Sequence, residues 1–277
     1  MSNCTNCGFE NSRDAHYCAS CGANLDDQSQ TSIDATDVIP PRDLGQLISH
    51  TFVLYRQHFW PLVLIALFPE IFNVLAAFTP WGISILLFIG GGIASIIASG
   101  AITYAVAQSY LGQPIYVGES YRKALNKAAY LVVGSILLGL ALIASAILIV
   151  IIVGIALFFF LLVSWVFLGQ AIMIEGDTPR SGLFRSYRLV KGSWWRVFGI
   201  GIVYSLILIG LGILVFIPSI IVGLVSDSAG VVFSAILGAL ITPIASIGLT
   251  VVYLDLRSRK EGLTLSALSD QLSGTSE

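Results

Sequence analysis

The sequence predicts an all-α polytopic membrane protein: six transmembrane helices with short interfacial helices on the cytoplasmic side, preceded by a small ribbon that holds all four cysteines. Three observations predict it. Of 277 residues, 56% are hydrophobic and only 11% charged, less than half the charge that soluble domains carry. The mean hydropathy of +0.88 means more apolar surface than one water-soluble core can hide. Lysine and arginine are absent from three long stretches, 57–121, 128–179 and 197–256. This composition excludes an ordinary soluble enzyme, a disordered chain and a secreted mini-protein. The formal net charge of −2 gives no bulk attraction to nucleic acid.

Residues 1–25 carry the strongest motif. Cys4-x2-Cys7 and Cys18-x2-Cys21 form two knuckles, each followed by a glycine, Gly8 and Gly22. Two such pairs set four thiolates around one tetrahedral ion, and the glycines let each knuckle turn tightly. The segment is too short for a hydrophobic core, so the metal itself supplies folding energy. A reducing cytosol disfavours two disulfides. Zinc is the expected ion, with iron in a rubredoxin-like site as the alternative. Four protein ligands close the site, which makes it structural, and His16 reads as a surface residue. Arg13 stands alone against Glu10, Asp14, Asp26 and Asp27. An acidic head lacks the basic footprint that phosphate binding needs, so a protein partner is expected and nucleic acid is not.

The first forty residues contain no apolar run, so no signal peptide is expected. Residues 26–41 are rich in Asp, Ser and Thr, lack Lys and Arg, and close on Pro40–Pro41; they read as a flexible acidic linker. The membrane domain is expected over 42–262, with a cytoplasmic tail at 263–277.

Each cation-free stretch is more than twice the roughly 20 residues a span requires, so each holds a helical hairpin. The spans fall near 59–79, 83–111, 128–151, 153–174, 195–223 and 229–256, with turns at Pro80–Gly82, Val153–Gly154 and Ser226–Ser228. All Lys and Arg lie in the head, before the first span, between spans two and three or four and five, or after span six. That side is the cytoplasmic one by charge bias, which puts the protein in the inner or plasma membrane with both termini inside.

Before each hairpin lies a short amphipathic segment, giving a weak threefold repeat. In the first, Leu44, Leu47, Ile48, Phe52 and Tyr55 form the apolar face. In the third, Thr178 caps and Pro179 opens a helix whose apolar side is Leu183, Phe184, Tyr187 and Val190. The middle copy, Glu119–Lys127, is shorter. Trp60, Trp194 and Trp195 sit where aromatic belts form.

Polar residues inside spans are expensive. Glu70 lies about 16 Å into span one at 1.5 Å per residue, with no cation at that depth, so bonding to Asn73 or protonation is expected. It is a candidate ion or lipid contact, although a helix-packing hydrogen bond is the plainer reading. At the cytoplasmic rim, Glu175 and Asp255 are expected to pair with Arg185, Arg188, Arg257 and Arg259; the alternative is a pocket for an anionic lipid headgroup, since the five cations in Arg180–Arg196 also suit phosphate, with Arg185, Arg188 and Arg257 as candidate contacts. Small residues recur every four positions in span two, Gly90–Ala94–Ala98 and Gly91–Ser95–Ser99, which suits a central helix. Pro69, Pro218 and Pro243 suggest kinks.

These residues carry two resemblances. CTNCGFENSRDAHYCASCGANL, residues 3–24, resembles the zinc-ribbon module attached to many prokaryotic membrane proteins. The stretches 100–125, 174–199 and 242–262 resemble the membrane domain associated with some glycerophosphoryl diester phosphodiesterases. In that family the phosphodiesterase activity belongs to a separate barrel domain, for which the sequence has no matching segment. The resemblance therefore implies a membrane domain without that chemistry. The expected function is a non-enzymatic scaffold or accessory protein that presents its head to a cytosolic or membrane partner. The alternative is a transporter or lipid-handling protein with a site near Glu70 and the basic rim.

Overall fold

The computed structural model describes residues 2–3, 10–11, 38–148 and 153–274. The four cysteines and the linker up to residue 37 lie outside the described residues. Near the N-terminus, β1 (Ser2–Asn3) pairs antiparallel with β2 (Glu10–Asn11). Apart from a bridge between Val38 and Thr264, the other described residues are helical or connecting chain, and among them six segments are long and apolar enough to cross a membrane: Phe59–Ala77, Trp81–Tyr110, Ala128–Ile147, Gly154–Glu175, Trp194–Val225 and Asp227–Glu261.

Helix α1 (Leu44–Gln57) starts at a capping box, in which Asp43 accepts from the Gln46 amide and Gln46 reaches back to the Asp43 amide. His58 alone separates it from α2 (Phe59–Ala77), which turns through Thr79–Pro80 into α3 (Trp81–Tyr110). The second copy is α4 (Val117–Asn126), α5 (Ala128–Ile147) and α6 (Val153–Ser164). The third is α8 (Pro179–Val190), α9 (Trp194–Val225) and α10 (Asp227–Glu261), with Thr178 and Ser181 forming the cap. A last helix, α11 (Leu265–Ser273), follows Gly262, whose φ of 61° ends α10 in the left-handed conformation. The order of short helix then hairpin thus occurs three times, and the short helices gather at one end, which carries the basic residues.

Span four differs from the single helix expected over 153–174. After α6 the chain turns, forms the three-residue α7 (Leu168–Gln170), and continues as a π turn over Ala171–Glu175 to Gly176 at φ 75°. A π turn takes carbonyls out of the regular ladder. Lys127, at the start of α5, answers them with Nζ bonds to Ile172 O at 3.0 Å and Met173 O at 3.3 Å.

The core sits at the basic end. On α3 every residue from Gly100 to Gln108 is buried, and on α10 burial is nearly continuous from Pro243 to Ser258. At the opposite end Trp81, Leu86, Leu214, Leu224 and Val225 are exposed, an apolar skin that suits hydrocarbon and not water. The small-residue helix α3 is therefore central only in its basic half, and α10 is at least as central, packing against α1, α2, α3 and α9. At 35 residues α10 is about 52 Å long, well beyond the roughly 30 Å hydrocarbon core, so its last turns stand clear of the membrane. The helices α2, α9 and α10 continue on both sides of Pro69, Pro218 and Pro243.

Three further differences follow from packing. The inward face of α1 is Leu47, Thr51 and Leu54, while Leu44 and Phe52 point outward; on α8 it is Gly182, Ser186, Leu189 and Val190, with Phe184 outward. Second, the end of the linker is held: the buried Ile39 donates its amide to Leu263 O at 3.0 Å, and Ser258 donates to Ile39 O. Third, the tail is part of the core, because Leu268 and Leu272 of α11 are buried within it. The packed body thus exceeds 42–262 in both directions.

Candidate functional site at the basic end

Two ionic clusters sit side by side where α8, α10, α11 and the 38–42 segment meet. The first is balanced. Arg185 of α8 donates Nε to Glu175 Oε2 at 2.7 Å and Nη2 to Glu261 Oε2 at 2.7 Å, and Nη1 also reaches Glu261. Arg257 bonds Glu261 Oε2 at 3.2 Å, lies 3.5 Å from Glu175 Oε1, and donates Nη1 to Gln271 Oε1 at 2.9 Å. Tyr253 donates its hydroxyl to Glu175. The two carboxylates hold Arg185 more firmly protonated than usual, Glu261 contributing most. Two cations and two anions tie the end of span four, the loop helix α8 and the top of α10 into one unit. Each partner carries several hydrogen bonds, which is what offsets desolvation in such a place.

The second cluster is unbalanced. Asp255 is fully buried. Its Oδ1 accepts the Arg42 amide at 2.6 Å, and its Oδ2 accepts Arg196 Nη2 and Arg259 Nε, both at 3.0 Å. The same two arginines donate to Arg42 O, at 3.0 Å and 2.6 Å. The Arg42 guanidinium bonds Tyr110 Oη at 3.0 Å and lies over its ring. Two arginine side chains and the main-chain amide of a third thus share one carboxylate.

Two titratable groups flank these clusters. His50 of α1 packs edge-on against Tyr110 at 5.4 Å, and burial, then the charge of Arg42, push its pKa down to about 4. Lys127 is pushed down to about 8 by burial and then by Lys123, with Asp177 opposing.

Glu70 lies apart from both clusters. Its Oε2 accepts from Asn73 Nδ2 at 3.0 Å, and it faces Gly238 of α10. Asn73 in turn packs on Gly91, so the pair fills the junction of α2, α3 and α10. The structure does not bring Glu70 to the rim arginines. It brings Glu175 to Arg185 and Arg257, and Asp255 to Arg196 and Arg259. Arg188 is exposed on α8 and takes part in neither cluster.

Sequence reasoning missed Glu261, Tyr253, Gln271 and Arg42 as members, and counted Arg196 among cations suited to phosphate but not as a partner of Asp255. Glu261 was within reach, four residues after Arg257 on one helix face. Arg42 and Arg196 were not, since their partners lie far away in sequence. Among the described residues no group of three or more His, Cys, Asp or Glu is placed to hold a metal ion. What the clusters do chemically is lock helix ends, and the second keeps positive charge in excess. No protein-family model, curated protein or solved structure matches the chain.

Proposed function

We propose that the chain is a membrane scaffold that holds a structural zinc ribbon at the cytoplasmic face for a protein partner. The observation that carries this reading is the clamped root of the head. The chain leaving the ribbon enters the body at Ile39–Arg42, where the Ile39 amide, the Arg42 amide and the Arg42 carbonyl are all bonded to α9, α10 or the Leu263 segment. A head on a wholly free tether needs no such anchor. A fixed root sets where the head emerges and couples it to the helix ends.

Sidedness rests on the Lys and Arg distribution, and the metal on the donor set: Cys4, Cys7, Cys18 and Cys21 offer four thiolates, which suit zinc. The same proposal includes the family reading, a zinc ribbon joined to a membrane domain like that associated with glycerophosphoryl diester phosphodiesterases.

The test is affinity purification of the crosslinked full chain from its own membranes, in wild-type and Cys4→Ser forms, with metal analysis of each. One zinc per wild-type chain and a stoichiometric partner, both lost in Cys4→Ser while the body stays folded, would support the proposal. A partner set unchanged by Cys4→Ser would sink the scaffold reading. Bound iron, seen by its thiolate-to-iron colour, would replace zinc without touching the rest.

A further inference from the structure

The geometry points to a binding site for one anionic phospholipid, with its phosphate at Arg196 and Arg259 and an acyl chain in a groove between α6, α9 and α10. The groove has a volume of about 420 Å³ and is lined almost wholly by apolar groups, among them Phe159, Val163, Phe198, Gly201, Leu249 and Val252.

Helical register connects the groove to the charge excess. Arg196 directly precedes Val197, which lines the groove on α9, and Asp255 lies three residues beyond Val252, which lines it on α10. At 1.5 Å per residue the cationic cluster starts about 5 Å above the groove wall. That is the order in a phospholipid, charged phosphate first and hydrocarbon immediately below.

The cations have capacity to spare. The side chains of Arg196 and Arg259 are 32% and 35% exposed. Each uses part of its guanidinium on Asp255 and the Arg42 carbonyl, and among the described residues neither Nη1 has a partner. A guanidinium carries five donors in a fork that suits phosphate. Asp255 neutralises only one of the two guanidinium groups that bond it, so the site favours an anion over a zwitterion. Trp195, 78% exposed beside Arg196, is the kind of side chain that sits at headgroup level.

Gly201 makes the groove testable. A Cβ built there meets nothing within 4 Å, so a larger side chain enters the groove and not a neighbouring helix. Gly210, on the same helix and outside the groove lining, is equally open and serves as the control.

The experiment is native mass spectrometry of the full chain in detergent, titrated with dioleoyl phosphatidylglycerol, dioleoyl phosphatidylcholine or inorganic phosphate. Wild type and Gly210→Leu should retain one phosphatidylglycerol at tenfold lower lipid concentration than phosphatidylcholine. Gly201→Leu should lose retention of both lipids by tenfold or more. Arg196→Gln combined with Arg259→Gln should lose the preference for the anionic lipid; if that double variant does not fold, Gly201→Leu still decides. Unchanged retention in Gly201→Leu, or equal retention of the two lipids by wild type, would overturn the proposal. So would full displacement of the lipid by millimolar phosphate, which would mean a free-phosphate site.

Discussion

Tyr121 of α4 donates its hydroxyl to the main-chain oxygen of Ile65 in α2, at 2.6 Å. Ile65 lies four residues before Pro69, so its carbonyl has no helical N–H to accept. The short interfacial helix thus satisfies the acceptor that the proline leaves open inside a transmembrane helix. Tyr55 of α1 likewise reaches a spanning helix, donating to Leu240 O at 2.6 Å near Pro243 in α10, although the carbonyl that this proline leaves open is that of Ala239. In hydrocarbon an unsatisfied carbonyl costs more than in water, which explains why α4 reaches down with Tyr121.

Tyr121→Phe keeps the ring and removes this bond. It should lower stability in detergent by about 1–3 kcal/mol, read as a fall in melting temperature. Tyr130→Phe, at an exposed ring, should change little. Equal melting of the two variants would show that the Ile65 carbonyl finds another donor.

Asp255→Asn should be the most damaging single change at the rim. It removes the one carboxylate that Arg42, Arg196 and Arg259 surround, and hydrogen bonds to charged groups contribute about 1.5–3 kcal/mol each. Because Asp255 also holds the Arg42 amide, protease sensitivity near residues 38–42 should rise with the loss in stability. Wild-type resistance there would mean that the Ile39–Leu263 bond anchors the root alone.

Gly248→Ala tests close packing at the centre. A Cβ at Gly248 would fall 2.3 Å from the Tyr204 ring, and that ring carries the hydroxyl bonded to Thr51 at 2.6 Å. Overpacking of this kind costs about 1–3 kcal/mol. Gly248→Ala combined with Tyr204→Leu should recover part of the loss; additive effects would place the strain elsewhere.

His50 supplies a pH signature. Its folded pKa is depressed to about 4 against an ordinary 6.5, so the folded state keeps it neutral while the unfolded chain takes up a proton. Its contribution is therefore present above pH 6.5 and lost as pH falls toward 4. Melting curves across that range should fall less steeply for His50→Gln than for wild type. Parallel curves would show that other groups govern acid sensitivity.

Much of the fold was legible in order of hydropathy and charge. Spans announce themselves because a bilayer demands about 20 apolar residues, and the cap at Thr178 follows local chemistry. The break in span four was not legible: nothing in Leu168–Glu175 marks a π turn until Lys127 arrives from another helix to take up its carbonyls. On α1 and α8 the apolar faces were read in part: Leu47, Ile48, Tyr55, Leu183 and Val190 meet the core, whereas Leu44, Phe52 and Phe184 do not, for a related reason. Near a membrane, an apolar side chain such as Phe52 or Phe184 can face lipid as well as core, so hydrophobicity no longer tells inside from outside.

The sequence by itself therefore determined that this protein is a bundle of six apolar helices with its cations at one end, because length and solvation energy are properties of the chain. Only the tertiary structure decided how those cations are spent. Glu175 and Glu261 neutralise Arg185 and Arg257, whereas Asp255 takes the side chains of Arg196 and Arg259 and the amide of Arg42 at once and leaves charge over. Those partners stand up to 213 residues apart, and charge balance is a property of neighbours in space.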